Sequence, residues 1–285
     1  MLAARLGLFR GGDGEGYYSD LMALPVLEFP QWAAAHAARQ GTAIAPPVLA
    51  NLVEAAAVGY LHIRVQDDWF DEAIGAPGTV MMLSDMLFTR AQALLAREVS
   101  QSAFWELFEE VQLGYAEAML FERRMQRGEE PYEAVAFQKV LARSRPLVLP
   151  PAAVFFLADL AESVETLERF SAALVTGHQL LADLLDAEKD WGNENMTHVL
   201  WRLGGRPGGK READALRVAL FSWGGFDAVI SDALEEVARA RQVADVLAMP
   251  EAARFCEERM RFTTELHARV LRAFFAGALA LEQVS

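Results

Sequence analysis

An apolar run from Ala45 to Leu61 leads directly into Asp67-Asp68-Trp69-Phe70-Asp71-Glu72, and this junction constrains the fold more than any other stretch. A run this long and this apolar reads as a buried helix. Pro46-Pro47 opens it, which the first helical turn tolerates because its N–H groups have no intrahelical partner. Continued at about 100° per residue, the helix puts Asp67, Asp68 and Asp71 at about 0°, 100° and 40°. Asp67 and Asp71 then stand one above the other, with Asp68 beside them. Carboxylates crowded at the end of an apolar helix repel one another unless water surrounds them or divalent cations neutralise them. Alone, the pattern fits either a solvated acidic helix end or a metal site.

A second stretch narrows the choice. Gln179, Asp183, Asp186 and Asp190 lie within an apolar segment, Phe170 to Trp191. Relative to Asp183 they fall at about −40°, 0°, −60° and −20°, a narrow stripe of oxygen ligands. Leu180, Leu181, Leu184 and Leu185 point elsewhere. A solvated face normally interleaves Lys or Arg for i,i+4 pairing, and here the only nearby base is Lys189, off the stripe. Two acidic faces on two apolar helices read as opposing walls of one magnesium-binding cavity.

With these residues in view, the chain resembles the all-trans isoprenoid synthase superfamily, meaning polyprenyl diphosphate synthases and class I terpene synthases. Asp67-Asp68-x-x-Asp71 matches its aspartate-rich motif. Gln179-x3-Asp183-x2-Asp186 matches its second motif, with His178 in place of the usual Phe and Ala182 in place of the first Asp. Leu83-Ser84-Asp85-Met86-Leu87 followed by Ala91 looks like a further family helix. So does Tyr132 with Lys139 seven residues later, although Val140 stands where the family has Thr. The resemblance covers roughly Ala45 to Leu200.

The resemblance implies an all-α, single-domain bundle of residues 1–285 around a central cavity, often dimeric in the family. It implies three Mg2+ ions and an allylic prenyl diphosphate as substrate. Asp67 and Asp71 would ligate metal from one wall, with Asp68 supporting, and Asp183, Asp186 and Asp190 from the other. Asp186 and Asp190 are four residues apart, the step between successive ligands in the metal triad of terpene cyclases. Lys139 would hold the diphosphate, with Gln179 beside it. Arg64 fits a phosphate contact or a structural salt bridge.

The implied chemistry is metal-assisted departure of diphosphate, with charge-assisted hydrogen bonds from Lys or Arg. The cation left behind needs a dry, aromatic pocket. Trp69, Phe70, Phe88, Tyr115, Phe137, Phe155, Phe156 and Trp191 are candidates for it, each also an ordinary core residue. Elongating synthases carry Arg-Arg-Gly after the first motif. Here Ala73-Ile74-Gly75-Ala76-Pro77-Gly78 follows, and no Lys or Arg lies between Arg64 and Arg90. Elongation with isopentenyl diphosphate is therefore disfavoured. The expected function is that of a class I terpene synthase. The alternatives are prenyl transfer to another acceptor, an atypical polyprenyl synthase, or a non-catalytic helical subunit.

Bulk properties set outer limits. The chain has 285 residues, 53% of them hydrophobic, enough for one large core. A net charge of −14 argues against nucleic acid or an anionic membrane as the main partner. Cys256 is the sole cysteine, so no intrachain disulfide can form, which fits a cytoplasmic location. The start, Met1 to Gly16, does not read as a signal peptide, and no run of roughly 20 uncharged apolar residues is present.

Helical periodicity recurs along the chain and no strand pattern does. Helices are expected within Leu21–Gln40 and over Thr79–Arg97, Ser102–Arg127 and Tyr132–Arg145. Pro146–Pro151 reads as a hinge. Ala152–Trp191 should be helical, with a break near Glu162–Glu168. Shorter helices follow at Thr197–Leu203, Ala213–Trp223, Asp227–Leu247 and Glu251–Leu281. Gly11–Gly16 reads as a flexible lead-in. Gly204–Arg211, Gly-rich and basic, reads as a lid or a connector.

Overall fold

A computed structural model describes residues 24–72, 77–133, 135–192, 195–204, 213–221 and 224–282, without the side chains of 68–72, 77, 213–215, 217 and 273–282. The lead-in and the basic stretch beyond Gly204 lie outside the described residues. The chain is all-α: every longer element is an α-helix, and no strand occurs among the described residues. We number the helices α1 (Glu28–Arg39), α2 (Pro46–Glu72), α3 (Pro77–Glu98), α4 (Ser102–Gln126), α5 (Ala136–Leu141), α6 (Leu149–Leu157), α7 (Val164–Leu185), α8 (Ala187–Gly192), α9 (His198–Arg202), α10 (Ala213–Phe221), α11 (Gly225–Val246) and α12 (Pro250–Glu282). A 3-10 segment, Ala142–Val148, joins α5 to α6, and a shorter one, Ala161–Ser163, precedes α7.

The most extensive helix pairings are α7 with α11 and α2 with α3. One core cluster takes Leu167, Phe170 and Leu174 from α7 together with Val237 and Ala240 from α11. A second takes Leu180, Leu181 and Leu184 from α7 with Val229, Ile230 and Ala233 from α11. The three leucines thus turn away from the acidic stripe into the core, while Leu185 is exposed. The α7–α11 approach is set by Gly177. A Cβ there would lie 2.8 Å from Val237 Cγ2 and 2.9 Å from the Ala233 carbonyl oxygen. That glycine immediately precedes His178 and Gln179, so it fixes the register of the second acidic helix against its neighbour.

The prolines act differently from the sequence expectation. Pro146–Pro151 is no hinge: the 3-10 segment runs directly into α6, and Leu147 to Phe155 are all buried. Pro150 and Pro151 occupy the first turn of α6, where a missing N–H costs nothing. The expected helix Tyr132–Arg145 is α-helical only from Ala136 to Leu141 before tightening to 3-10. Asp159, at φ 58°, ends α6 and places the break slightly earlier than expected. A further break occurs at Asp186, the C-cap of α7 (φ −91°, ψ 1°), so Phe170–Trp191 is two helices. By length and mean hydropathy Pro46–Asp67 and Ala136–Leu157 could each cross a membrane; the latter is split by the 3-10 segment.

Candidate functional site

A cavity of about 280 Å³ opens where α2, α4, α5, α7, α8 and the approach to α9 converge. Arg64 enters it from α2, one turn before Asp67. Gln179, Asp183 and Asp186 enter from α7, and Lys189 and Asp190 from α8. All four residues of the second acidic stripe therefore line one hollow, together with a cation from the helix that carries the first. Glu122 of α4 and Arg143 of the 3-10 segment complete the polar lining. Met125, Phe137, Val140 and Met196 give it an apolar side, and the His198 ring stacks on Phe137 at 4.2 Å between centroids.

The polar groups form a chain across the cavity. Gln179 Nε2 donates to Asp183 Oδ1 at 2.6 Å. Arg143 Nη1 donates to both oxygens of Glu122 at 2.9 Å, and its Nη2 donates to Gln179 Oε1 at 3.3 Å. On α2, Arg64 Nη1 lies 3.6 Å from Asp67 Oδ2, the next turn along. Tyr115 of α4 donates to Gln66 Oε1, tying the first acidic stretch to α4.

Burial decides the charges. Asp183 is 7% exposed, and removal from water pushes its carboxyl up to about 7. The Gln179 hydrogen bond and Arg143 act against that rise, and Asp190 adds to it. Burial together with Arg259, Arg64 and Arg143 pushes the His178 imidazole down to about 3. It is therefore a neutral, polarisable wall and adds no positive charge. Burial and Arg202 similarly hold His198 neutral, at about 4. Burial, then the charge of Asp67, raises the Tyr115 phenol well above its ordinary range.

Other expected residues are spread more widely. Asp68, Trp69, Phe70 and Asp71 belong to α2 by backbone, and their side chains lie outside the described residues. Lys139 is exposed, with Nζ 4.6 Å from the Phe121 ring centroid, and it is not part of the cavity lining. Phe88 packs on His62 at 5.3 Å and belongs to a separate apolar region. Phe155 is fully buried core, Phe156 packs on Phe104, and Trp191 is buried in the second cluster. His36, buried against Phe155, is a packing histidine. Lys189, placed off the stripe on a straight helix, lines the cavity because the chain turns at Asp186.

Two residues here escaped the sequence reading. Glu122 carried a signal: it falls seven positions after Tyr115, on the buried side of α4, where a charge needs a partner. Arg143, its partner, lies on the 3-10 segment, where helical spacing from α5 does not place it.

Among the described residues no three of His, Cys, Asp or Glu converge closely enough to hold a metal by themselves. The donor set nevertheless suits a hard cation. Asp67 is 8% exposed, and its Oδ1 meets no hydrogen-bond partner among the described residues. Asp183, equally buried, is costly to keep as an anion, and a cation beside it would lower that cost. The chain matches no known family model and no curated protein.

Proposed function

We propose that the chain is a class I terpene synthase with an isoprenoid-synthase-type bundle. It ionises one allylic prenyl diphosphate with the help of Mg2+, releases diphosphate, and lets the cation cyclise, rearrange or lose a proton. The observation that carries this reading is the single cavity that takes Arg64 from the helix of the aspartate-rich stretch and Gln179, Asp183, Asp186 and Asp190 from the second.

Asp67, through its unpartnered Oδ1, would ligate from one side, with Asp68 and Asp71 joining it by resemblance. Asp183, Asp190 and Asp186 would ligate from the other. Diphosphate oxygens and water fill the remaining positions, as is usual for Mg2+. The bound ions supply Lewis-acid stabilisation of the departing diphosphate. Arg64, Arg143 and Lys189 then offer charge-assisted hydrogen bonds to the same group. Arg143 thereby takes the place that the resemblance gave to Lys139. Gln179 holds Asp183 in position while accepting from Arg143. Met125, Phe137, Val140 and Met196 exclude water from the reacting carbon.

One observation favours prenyl transfer as a second reading. Three cationic side chains line the cavity, more than the gap between Arg64 and Arg90 led us to expect. Incubation with C10, C15, C20 and C25 diphosphates plus Mg2+, read by mass spectrometry, separates these readings. A terpene synthase yields hydrocarbon or alcohol and diphosphate from a single substrate. Release that strictly requires an acceptor identifies a transferase. No turnover of any chain length rejects both and leaves a non-catalytic helical subunit.

A further inference from the structure

A second hollow, of about 180 Å³, lies on the other side of the segment that carries Arg143. Leu141, Ala142, Ser144, Arg145 and Val148 form one wall, from the end of α5 and the 3-10 segment. Glu168, Ser171, Ala172, Val175 and Thr176 of α7 form the other. The acidic cavity uses the same two elements, through Arg143 on one and Gln179 and Asp183 on the other. The two hollows therefore share both walls and have no lining residue in common.

We infer that this cleft binds a small neutral alcohol or phenol, and that its occupancy is passed to Arg143 through the 3-10 segment. Volume sets the size: an engineered apolar cavity of roughly 150 Å³ holds a benzene ring. The cleft thus accommodates a ring bearing a small substituent. Polarity sets the class. Leu141, Val148 and Val175 offer an apolar bed, and Ser171 and Thr176 put hydroxyls beside it. Ser171 is 5% exposed and lines the cleft. Thr176 Oγ1 donates to the Ala172 carbonyl at 2.7 Å, which leaves it as an acceptor only. A ligand O–H satisfies Thr176 or Ser171, and its oxygen can accept from Ser171.

Charge excludes an anion. Arg145, the cation lining the cleft, is held by Glu168 and Glu110, each at 2.8 Å, so no uncompensated positive charge attracts one, and the hydroxyls of Ser171 and Thr176 call for a hydroxyl partner. Burial and these two glutamates act on the Arg145 guanidinium in opposite senses, and the glutamates win. Packing supplies the coupling. Ser144 and Arg145 adjoin Arg143 on a tight 3-10 turn with little slack, so a ligand that wedges Ser144 from α7 shifts Arg143 with it.

The test is a titration of the full chain with 4-fluorophenol, followed by fluorine NMR and by the Nε–Hε resonance of Arg143. One saturable site is expected. Fluorobenzene should bind several-fold more weakly, and 4-fluorobenzoate at least tenfold more weakly. Ser171→Ala should weaken 4-fluorophenol about fivefold, the loss of one hydrogen bond. Ala172→Phe, at the exposed mouth, should weaken it at least tenfold with helical circular dichroism unchanged. The Arg143 resonance should follow the wild-type isotherm. Non-saturating binding, equal binding to Ala172→Phe, or equal affinity for the benzoate overturns the site. An Arg143 resonance that stays fixed at saturation overturns the coupling.

Discussion

Gln179 Nε2 donates to Asp183 Oδ1 at 2.6 Å, one helical turn away on the wall that faces Arg64 and Arg143. The bond orients a carboxyl that the protein has taken almost wholly out of water. A buried carboxyl with an amide to hold it and acidic neighbours at Asp186 and Asp190 is poorly stabilised as an anion without a cation.

The pH dependence of stability follows. The Asp183 carboxyl sits near 3.8 in the unfolded chain and is pushed up to about 7 in the fold. Between those values the folded state binds more protons, so this contribution is fully present below about pH 4 and lost as pH rises through 7. In metal-free buffer, Asp183→Asn should therefore gain stability over wild type on going from about pH 5 to about pH 8. The gain should be roughly 2 to 4 kcal/mol. Urea titrations at the two pH values measure it. Equal differences at both would show that Asp183 titrates normally.

Gly177 carries a second prediction. Its added Cβ in Gly177→Ala would meet Val237 Cγ2 at 2.8 Å and the Ala233 carbonyl at 2.9 Å, and the carbonyl belongs to a packed helix that cannot yield. Overpacking costs about 1–3 kcal/mol, only partly offset by the roughly 1 kcal/mol that Ala gains over Gly in a helix. The melting temperature should fall by several degrees. Any rise would mean that α7 and α11 are farther apart than described.

Arg143 and Lys139 separate the cavity from the sequence motif. Arg143→Gln removes a bidentate pair with Glu122 and a donor to Gln179. Turnover should drop by about 10²- to 10³-fold, the scale of losing one donor to a developing anion. Lys139→Gln, at an exposed site over Phe121, should cost less than about tenfold. The reverse order would return the diphosphate-binding role to Lys139.

Helix identity and the placing of Gln179 and Asp183 were legible because both rest on period alone. Ala45 to Leu61 and Phe170 to Leu185 repeat their apolar residues at helical spacing, and that spacing also places Gln179 and Asp183 on one face. What escaped the sequence was decided between elements. The turn at Asp186 brings Lys189 to the cavity, and no local propensity announces it. The 3-10 segment after Leu141 contains Pro146, whose ring disfavours an α-helical turn before it, and Leu147 to Phe155 are buried behind it. Glu122 was visible in part, as a charge on the buried side of α4, but its pairing with Arg143 depends on how α4 meets the 3-10 segment. The resemblance pointed to Lys139 by motif spacing, and the fold places Arg143 in the cavity instead.

The most direct test of a cation cluster shared by the two walls is Mn2+ binding, used as a paramagnetic stand-in for Mg2+, with inorganic pyrophosphate present and read by electron paramagnetic resonance. The wild-type chain should take up more than one Mn2+ cooperatively with pyrophosphate. Asp67→Ala and Asp183→Ala should each abolish that uptake while keeping helical circular dichroism. If the wild type binds no Mn2+, or if either variant binds it as the wild type does, the two acidic helices do not share a diphosphate-bound metal site.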